Sequence, residues 1–259
     1  MKKLPNNIPV LILCGGKGLR LSEETQKTPK PLIKIDKFPI LHHIIQIYLK
    51  NGFKNFILLT GYKSKLIEQY FIKEFPKVTK QKSIFSKKNM TISFKNFDIK
   101  LLYTGLNTQT GARILKSKKI IGNNKYFAVT YGDGLANINL NKVFSKLYKT
   151  NFDGIMCATN PEEKFGVLKI KDDLVEDFYE KKKDLKKWIN IGFFIFKKNF
   201  FKYLDNKTML EDTPLKKISQ KKKLIVYKHF GYYRCMDTLN DKNNIKNDIK
   251  KNKTLPWQK

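Results

Sequence analysis

The sequence predicts an α/β fold: a mixed but mostly parallel sheet flanked by helices, with a smaller C-terminal lobe. Three observations carry that prediction. Short apolar runs alternate with segments of helical period along most of the chain. The first run, Val10-Leu-Ile-Leu-Cys14, ends directly in a glycine-rich turn, where open α/β sheets bind ligands. The 259 residues, 41% of them hydrophobic, suffice to enclose one sizeable core.

The elements follow in order. Residues 9–13 form the first strand. Their five-residue apolar run follows Pro5, Asn6, Asn7 and Pro9, and is too short for the core of a signal peptide. Residues 39–50 form a helix, because Ile40, Ile44, Ile47 and Tyr48 recur at helical spacing and Asn51-Gly52 stops it. A strand at 56–60 and a helix at 63–75 come next. Residues 76–96 are lysine-rich and weakly patterned. They are expected to be a surface excursion with a short strand at 90–94, serving as an oligomer contact or merely as a long loop. Strands at 100–104 and 126–130 enclose a helix at 111–121, and a fifth strand covers 154–159. Residues 165–170 and 174–179 alternate around Lys171-Asp-Asp173 and read as a hairpin. A strand at 191–197 and a final helix at 239–250 complete the series. Neither repeats nor an interdomain linker interrupt it, so residues 1–259 are expected to form a single domain.

Composition narrows the function. There are 53 basic and 22 acidic residues, a net charge of +31. Taken alone, that charge points to nucleic acid or an anionic surface. The excess is lysine, however, clustered at 77–95, 181–187 and 216–228 and not interleaved with stacking aromatics at a repeat. We read it as solvated faces and expect no nucleic-acid partner. No apolar run approaches the ~18 residues of a membrane span, so no membrane insertion is expected. Cys14, Cys157 and Cys235 are far apart, odd in number and form no C-x-x-C, which fits a reduced, cytoplasmic protein. His42 and His43 are adjacent and face different directions on a helix, so no zinc site is expected.

The chemistry concentrates after the first strand. In Gly15-Gly-Lys-Gly-Leu-Arg20 the glycines let backbone N–H groups approach an anion, and Arg20 supplies charge to phosphate oxygens. Lys30 follows, stiffened on both sides by Pro29 and Pro31. Neither the G-x-x-x-x-G-K-[ST] spacing nor a full G-x-G-x-x-G is present, so this is not one of the two commonest phosphate cradles. Asp133 lies between two glycines after an apolar strand, and Asp237 lies 104 positions later. On residue type alone, Asp133 reads first as a turn residue and Asp237 as a helix N-cap. Arg113 opposes the dipole at a helix start, a small cost that a bound anion offsets.

These motifs resemble the sugar-1-phosphate nucleotidyltransferases, and within them most nearly the glucose-1-phosphate cytidylyltransferases. Leu21-Ser-Glu-Glu-Thr25 after the arginine is typical of that branch. Pro39-Ile-Leu-His-His-Ile44, Asn51-Gly-Phe53, Thr60-Gly-Tyr-Lys63, Thr104-Gly105 and Thr110-Gly-Ala-Arg113 continue the series in order. Thr130-Tyr-Gly-Asp-Gly134, Phe165-Gly166, Asn190-Ile-Gly-Phe-Phe194, Met236-Asp-Thr-Leu239 and Leu255-Pro-Trp257 complete it, over nearly the whole chain.

The resemblance implies a Rossmann-like, glycosyltransferase-A-like fold. Residues of about 8–150 would bind nucleotide, and about 151–259 would carry the sugar-binding part and C-terminal lobe. It implies CTP and glucose 1-phosphate as substrates and CDP-glucose and pyrophosphate as products. It implies Mg2+ on Asp133 and Asp237, where two carboxylates leave room for phosphate and water. Arg20, Lys30 and Asp133 would be catalytic. Leu13, Gly15, Gly16, Gly18, Thr104, Gly105, Thr110, Arg113 and Gly132 would join Arg20 and Lys30 around the nucleotide. An acceptor for the cytosine amine is expected near Thr104, Gly105, Gln109 and Thr110. Tyr131, Gly166, Glu180, Lys181 and Asn190 would bind the sugar phosphate. A homo-oligomer supplying nucleotide sugar for surface polysaccharide such as O-antigen is implied too. Leu19 stands where the family has threonine, Lys182 and Cys235 where it has proline, and Ile191 where it has glycine. These departures leave open the same fold with another base or sugar, or a degenerate nucleotide-sugar binding protein.

Overall fold

A computed structural model describes residues 7–87, 90–148, 150–161, 167–171, 174–179 and 187–258. Strand β1 (Pro9–Cys14) is buried on both faces: Val10 and Ile12 point into one core and Leu11 into the other. After the glycine turn come the short helix α1 (Ser22–Thr25) and helix α2 (Ile40–Lys50), whose Ile40, Ile44, Ile47 and Tyr48 are all buried. Strand β2 (Asn55–Thr60) returns parallel to β1.

The helix expected at 63–75 is longer. It runs as α3 (Ser64–Gln69), a π-helical stretch at Tyr70–Glu74 and α4 (Phe75–Thr79). Pro76 accounts for the π stretch. It has no N–H to donate and its ring would clash with the carbonyl four residues back, so the widened turn lets the helix continue. The stretch 76–96 carries the end of α4, the short strand expected at 90–94 and one further strand. Strands β3 (Ile84–Ser86) and β4 (Thr91–Ser93) extend the sheet in antiparallel fashion onto β5 (Asp98–Tyr103). Ile92 is fully buried, and Phe94 stacks on Phe97 with centroids 4.7 Å apart. The lysines of this stretch hide an apolar alternation that the sequence carries.

Next come α5 (Thr110–Lys116) and α6 (Lys118–Ile121), where one helix was expected. They part at Ser117, whose hydroxyl donates to the Ile114 carbonyl (2.6 Å) in place of regular helix bonding. Strand β6 (Tyr126–Tyr131) lies parallel to β1 on the side opposite β2. The chain continues through β7 (Gly134–Ala136), α7 (Leu140–Tyr148) and β8 (Gly154–Thr159). The expected hairpin is present as β9 (Val167–Lys171) and β10 (Leu174–Tyr179). Strand β11 (Ile189–Lys197) inserts antiparallel between β6 and β8. Helix α8 (Thr213–Gln220), strands β12 (Leu224–His229) and β13 (Tyr233–Cys235), and helix α9 (Leu239–Asn252) end the series.

Among the described residues, the main sheet has the order β12-β8-β11-β6-β1-β2-β5-β4-β3. The C-terminal part builds onto it: β12 runs parallel to β8, and β13 pairs with β7 beside it. Trp257 is buried in the core, its ring 5.1 Å from that of His43. The chain builds β2 and β5 on one side of β1 and then crosses back to place β6 on the other. This opens a crevice at the carboxyl ends of β1 and β6. No described helix is long and apolar enough to cross a membrane.

Candidate functional site

The turn after β1 is held from below. Thr25, buried in α1, donates its hydroxyl to the carbonyls of Gly18 (3.1 Å) and Leu21 (3.0 Å), and its own carbonyl accepts from the Tyr62 hydroxyl. Glu24 pairs with Lys242 of α9. The Ser22-Glu-Glu-Thr25 stretch thus pins the loop and ties it to the C-terminal helix. Above the loop lies a cleft of about 500 Å³. Gly16, Gly18, Arg20, Lys30, Arg113 and Asp237 line it, together with Lys17, Leu19 and residues 106–109.

One corner of the cleft is a charge cluster. β13 pairs with β7, and the Met236 N–H donates to the Asp133 carbonyl (2.9 Å), so Asp237 is brought beside Asp133. Buried Met236 anchors the arrangement. The cap of α9 is Thr238, in a capping box with Asp241. The carboxylate of Asp237 is therefore not used as a helix cap and faces the cleft. Lys30 Nζ sits 2.6 Å from Asp133 Oδ2 and 2.6 Å from Asp237 Oδ1, and Arg20 reaches Asp237 Oδ2 at 2.9 Å. Burial disfavours the Lys30 charge, but the carboxylates outweigh it and its pKa is raised. Four charged groups that sequence reading singled out therefore converge.

This corner fits a divalent cation. Asp133, Asp237 and Cys235 each bring a ligand atom within 4.8 Å of the others. An ammonium already lies between the two carboxylates, which shows that the pair demands positive charge. Burial pushes the Cys235 thiol pKa up, and the two carboxylates supply the oxygen donors a hard cation takes.

The opposite wall is braced by Arg113. It is 3% exposed. Its guanidinium donates to the carbonyls of Thr60 (3.1 Å), Gly105 (2.8 Å), Gly15 (2.9 Å) and Leu106 (3.3 Å), and to the Thr104 hydroxyl. A Cβ at Gly15 would lie 2.2 Å from this group and one at Gly61 2.6 Å, so both positions require glycine. Arg113 lines the cleft, but its donors are committed to the protein rather than left for an anion. Thr104 is likewise buried, its hydroxyl donating to the Thr60 carbonyl at 2.7 Å. Gly132 approaches β1 closely, since a Cβ there would lie 2.8 Å from the Leu13 carbonyl oxygen.

A third group lies beyond β6. The Tyr131 hydroxyl donates to Glu211 and accepts from Asn190 Nδ2 (3.3 Å), while Thr110 donates to the other Glu211 oxygen (2.9 Å). Gly166, Glu180, Lys181 and Lys182 lie outside the described residues. Sequence reading missed Lys17, Asn107, Thr108 and Glu211. Lys17 was findable from its place inside the glycine turn; Glu211 carries no local motif.

With the geometry in hand, known proteins bear comparison. The sequence model of the family described as "Nucleotidyl transferase" matches residues 9–233. A Bacillus subtilis protein named "Probable glucose-1-phosphate cytidylyltransferase" is 40% identical over 233 residues, covering 88% of this chain and 91% of that one. The Salmonella typhimurium "Glucose-1-phosphate cytidylyltransferase" is 33% identical over 252 residues, covering 96% and 98%. A UDP-glucose pyrophosphorylase solved with UDP-glucose superposes with a TM-score of 0.70 at 20% identity, covering 95% of this chain and 99% of that one. At that identity the likeness speaks for the fold alone.

Proposed function

The chain belongs to the nucleotidyl transferase family, and from that premise we propose that it transfers the cytidylyl group of CTP to α-D-glucose 1-phosphate, yielding CDP-glucose and pyrophosphate. The observation that carries the catalytic part is the convergence of Arg20, Lys30, Asp133 and Asp237 at the carboxyl ends of β1 and β6. The cytidylyltransferase relatives, similar over nearly the full chain, support the choice of base and sugar.

In this reading an oxygen of the sugar phosphate attacks the α-phosphorus of CTP in line. A P–O bond forms to the α-phosphorus, the bond to the β-phosphate oxygen breaks, and pyrophosphate carries away the charge. The attacking oxygen is already ionised near neutral pH, so no general base is needed. Catalysis rests on positioning and electrostatics. Arg20 and Lys17 hold the outgoing phosphates. Lys30 is available to them once its carboxylate partners are neutralised otherwise. Asp133 and Asp237 would hold Mg2+, which supplies charge neutralisation on phosphate oxygens when bound. Arg113, Gly15 and Gly105 shape the wall against which the base stacks. Tyr131 and Asn190 face the sugar. A homo-oligomer in the cytoplasm, feeding surface-polysaccharide synthesis, completes the proposal.

The test is pyrophosphate release from glucose 1-phosphate and Mg2+ with CTP, UTP, dTTP, GTP and ATP in parallel. Strong preference for CTP is expected. Preference for another nucleotide overturns the base assignment and leaves the chemistry standing. Silence with all five removes the enzymatic reading in favour of a binding protein.

A further inference from the structure

We propose that Glu211 is a positioning residue of the sugar subsite. Its carboxylate fixes the hydroxyl proton of Tyr131, so that the phenol oxygen meets the substrate only as an acceptor and selects a sugar hydroxyl that donates. The inference rests on the nucleotidyltransferase reading above and deepens it.

The seat of Tyr131 is built. In the ladder between β11 and β8 the register shifts between Asn190 and Phe194. Within that irregularity Gly192 takes φ +78°, and a Cβ there would lie 2.3 Å from the Tyr131 ring. The ring thus lies against a residue that must be glycine. Its hydroxyl is aimed at Glu211, across 80 positions of sequence.

The hydrogen bonds then fix polarity. Asn190 Oδ1 accepts from the Gly192 N–H (2.8 Å), which orients the amide so that its NH2 donates to the Tyr131 oxygen. A phenol has one donor and two acceptor sites. The donor goes to Glu211 and one acceptor site to Asn190, so the single remaining site can only accept. Both carboxylate oxygens of Glu211 accept, one from Tyr131 and one from Thr110, which holds this direction. Burial and the neighbouring Glu211 charge both raise the Tyr131 pKa, so the phenol keeps the proton it donates. Thr110 is held the same way: it donates to Glu211 and accepts from the Leu210 N–H (2.7 Å). One carboxylate therefore sets the direction of two hydroxyls, and a sugar hydroxyl offers the donor that the free site of Tyr131 lacks.

The experiment is steady-state kinetics of wild type, Glu211→Gln and Glu211→Asp. The substrates are CTP with glucose 1-phosphate and with analogues in which one sugar hydroxyl at a time is replaced by fluorine. Fluorine keeps the size but cannot donate. Wild type should disfavour one analogue by about tenfold in kcat/KM. Glu211→Gln, whose amide can donate and so release the lock, should raise KM for glucose 1-phosphate about tenfold, leave KM for CTP unchanged and abolish discrimination against that analogue. Glu211→Asp, which keeps the charge, should recover part of it. If discrimination is unchanged in Glu211→Gln, the proposal fails. If both KM values and the melting temperature move together, Glu211 is merely structural and the proposal also fails. Should wild type make no CDP-glucose, the functional reading fails separately. Calorimetric binding of the same sugar phosphates to wild type and Glu211→Gln then decides the inference by the same ratio.

Discussion

Arg113 and Arg20 stand in one cleft and are opposites. Arg113 is sealed beneath the wall, its guanidinium shared among carbonyls from three segments of chain. The Arg20 side chain is 77% exposed and pairs with the outer oxygen of Asp237. The first closes the backbone of the crevice around a fixed charge, and the second leaves a charge at its mouth. The difference teaches how to sort cations at an anion site. A guanidinium surrounded by backbone acceptors is scaffold, whereas one held loosely to a carboxylate can be transferred to a phosphate.

The sharpest way to break that contrast lies between the two arginines. Asp133→Asn should lower kcat about a thousandfold while the melting temperature shows the fold intact. Near-normal turnover would remove Asp133 from the chemistry. Arg113→Ala should act on stability instead, because it orphans several buried carbonyls. A loss of about 3 kcal/mol or more is expected in chemical denaturation, and Arg113→Lys should recover only part of it. If Arg113→Ala were stable and merely slow, the brace would be a ligand contact after all. Arg20→Ala should do the reverse. Its exposed ion pair is worth at most about 1 kcal/mol, so stability should hardly move. Its kcat/KM for CTP should nevertheless fall about 10- to 100-fold.

The smallest effect serves as a control outside the cleft. His42 stacks on Phe38 (4.5 Å), and burial, reinforced by His43, lowers its pKa to about 4. The folded protein therefore favours neutral His42, and the unfolded chain takes up the proton first. Stability should fall as the pH drops from about 6.5 to about 4, by up to about 3 kcal/mol. His42→Phe should flatten that slope in pH-dependent denaturation without altering kcat at neutral pH. An unchanged slope would assign the acid sensitivity to other groups.

What was legible in the sequence was local. The glycine turn, Arg20 and the proline-flanked Lys30 declare themselves by spacing, and β1, α2, β2 and β6 by apolar period. Asp133 was visible as a polar residue ending a buried strand. Its partnership with Asp237 depends on β13 pairing with β7, and no local pattern carries that; the family resemblance did. The role of Arg113 was not legible, because a helix-start arginine serves an anion or a ring of carbonyls depending on where Gly15, Thr60 and Gly105 end up. Glu211 was invisible for the same reason, being 80 and 101 positions from the hydroxyls it holds. At 84–97 the short strand at 90–94 was legible, whereas β3 and the stacking of Phe94 on Phe97 were masked by the surrounding lysines.

The most direct measurement is a competition. Wild-type protein is given glucose 1-phosphate, Mg2+ and equal concentrations of CTP, UTP, dTTP, GTP and ATP, and the nucleotide sugars formed are separated and quantified. The account predicts CDP-glucose as the dominant product, accumulating in step with pyrophosphate. UDP-glucose or dTDP-glucose in its place, or no nucleotide sugar at all, would contradict it.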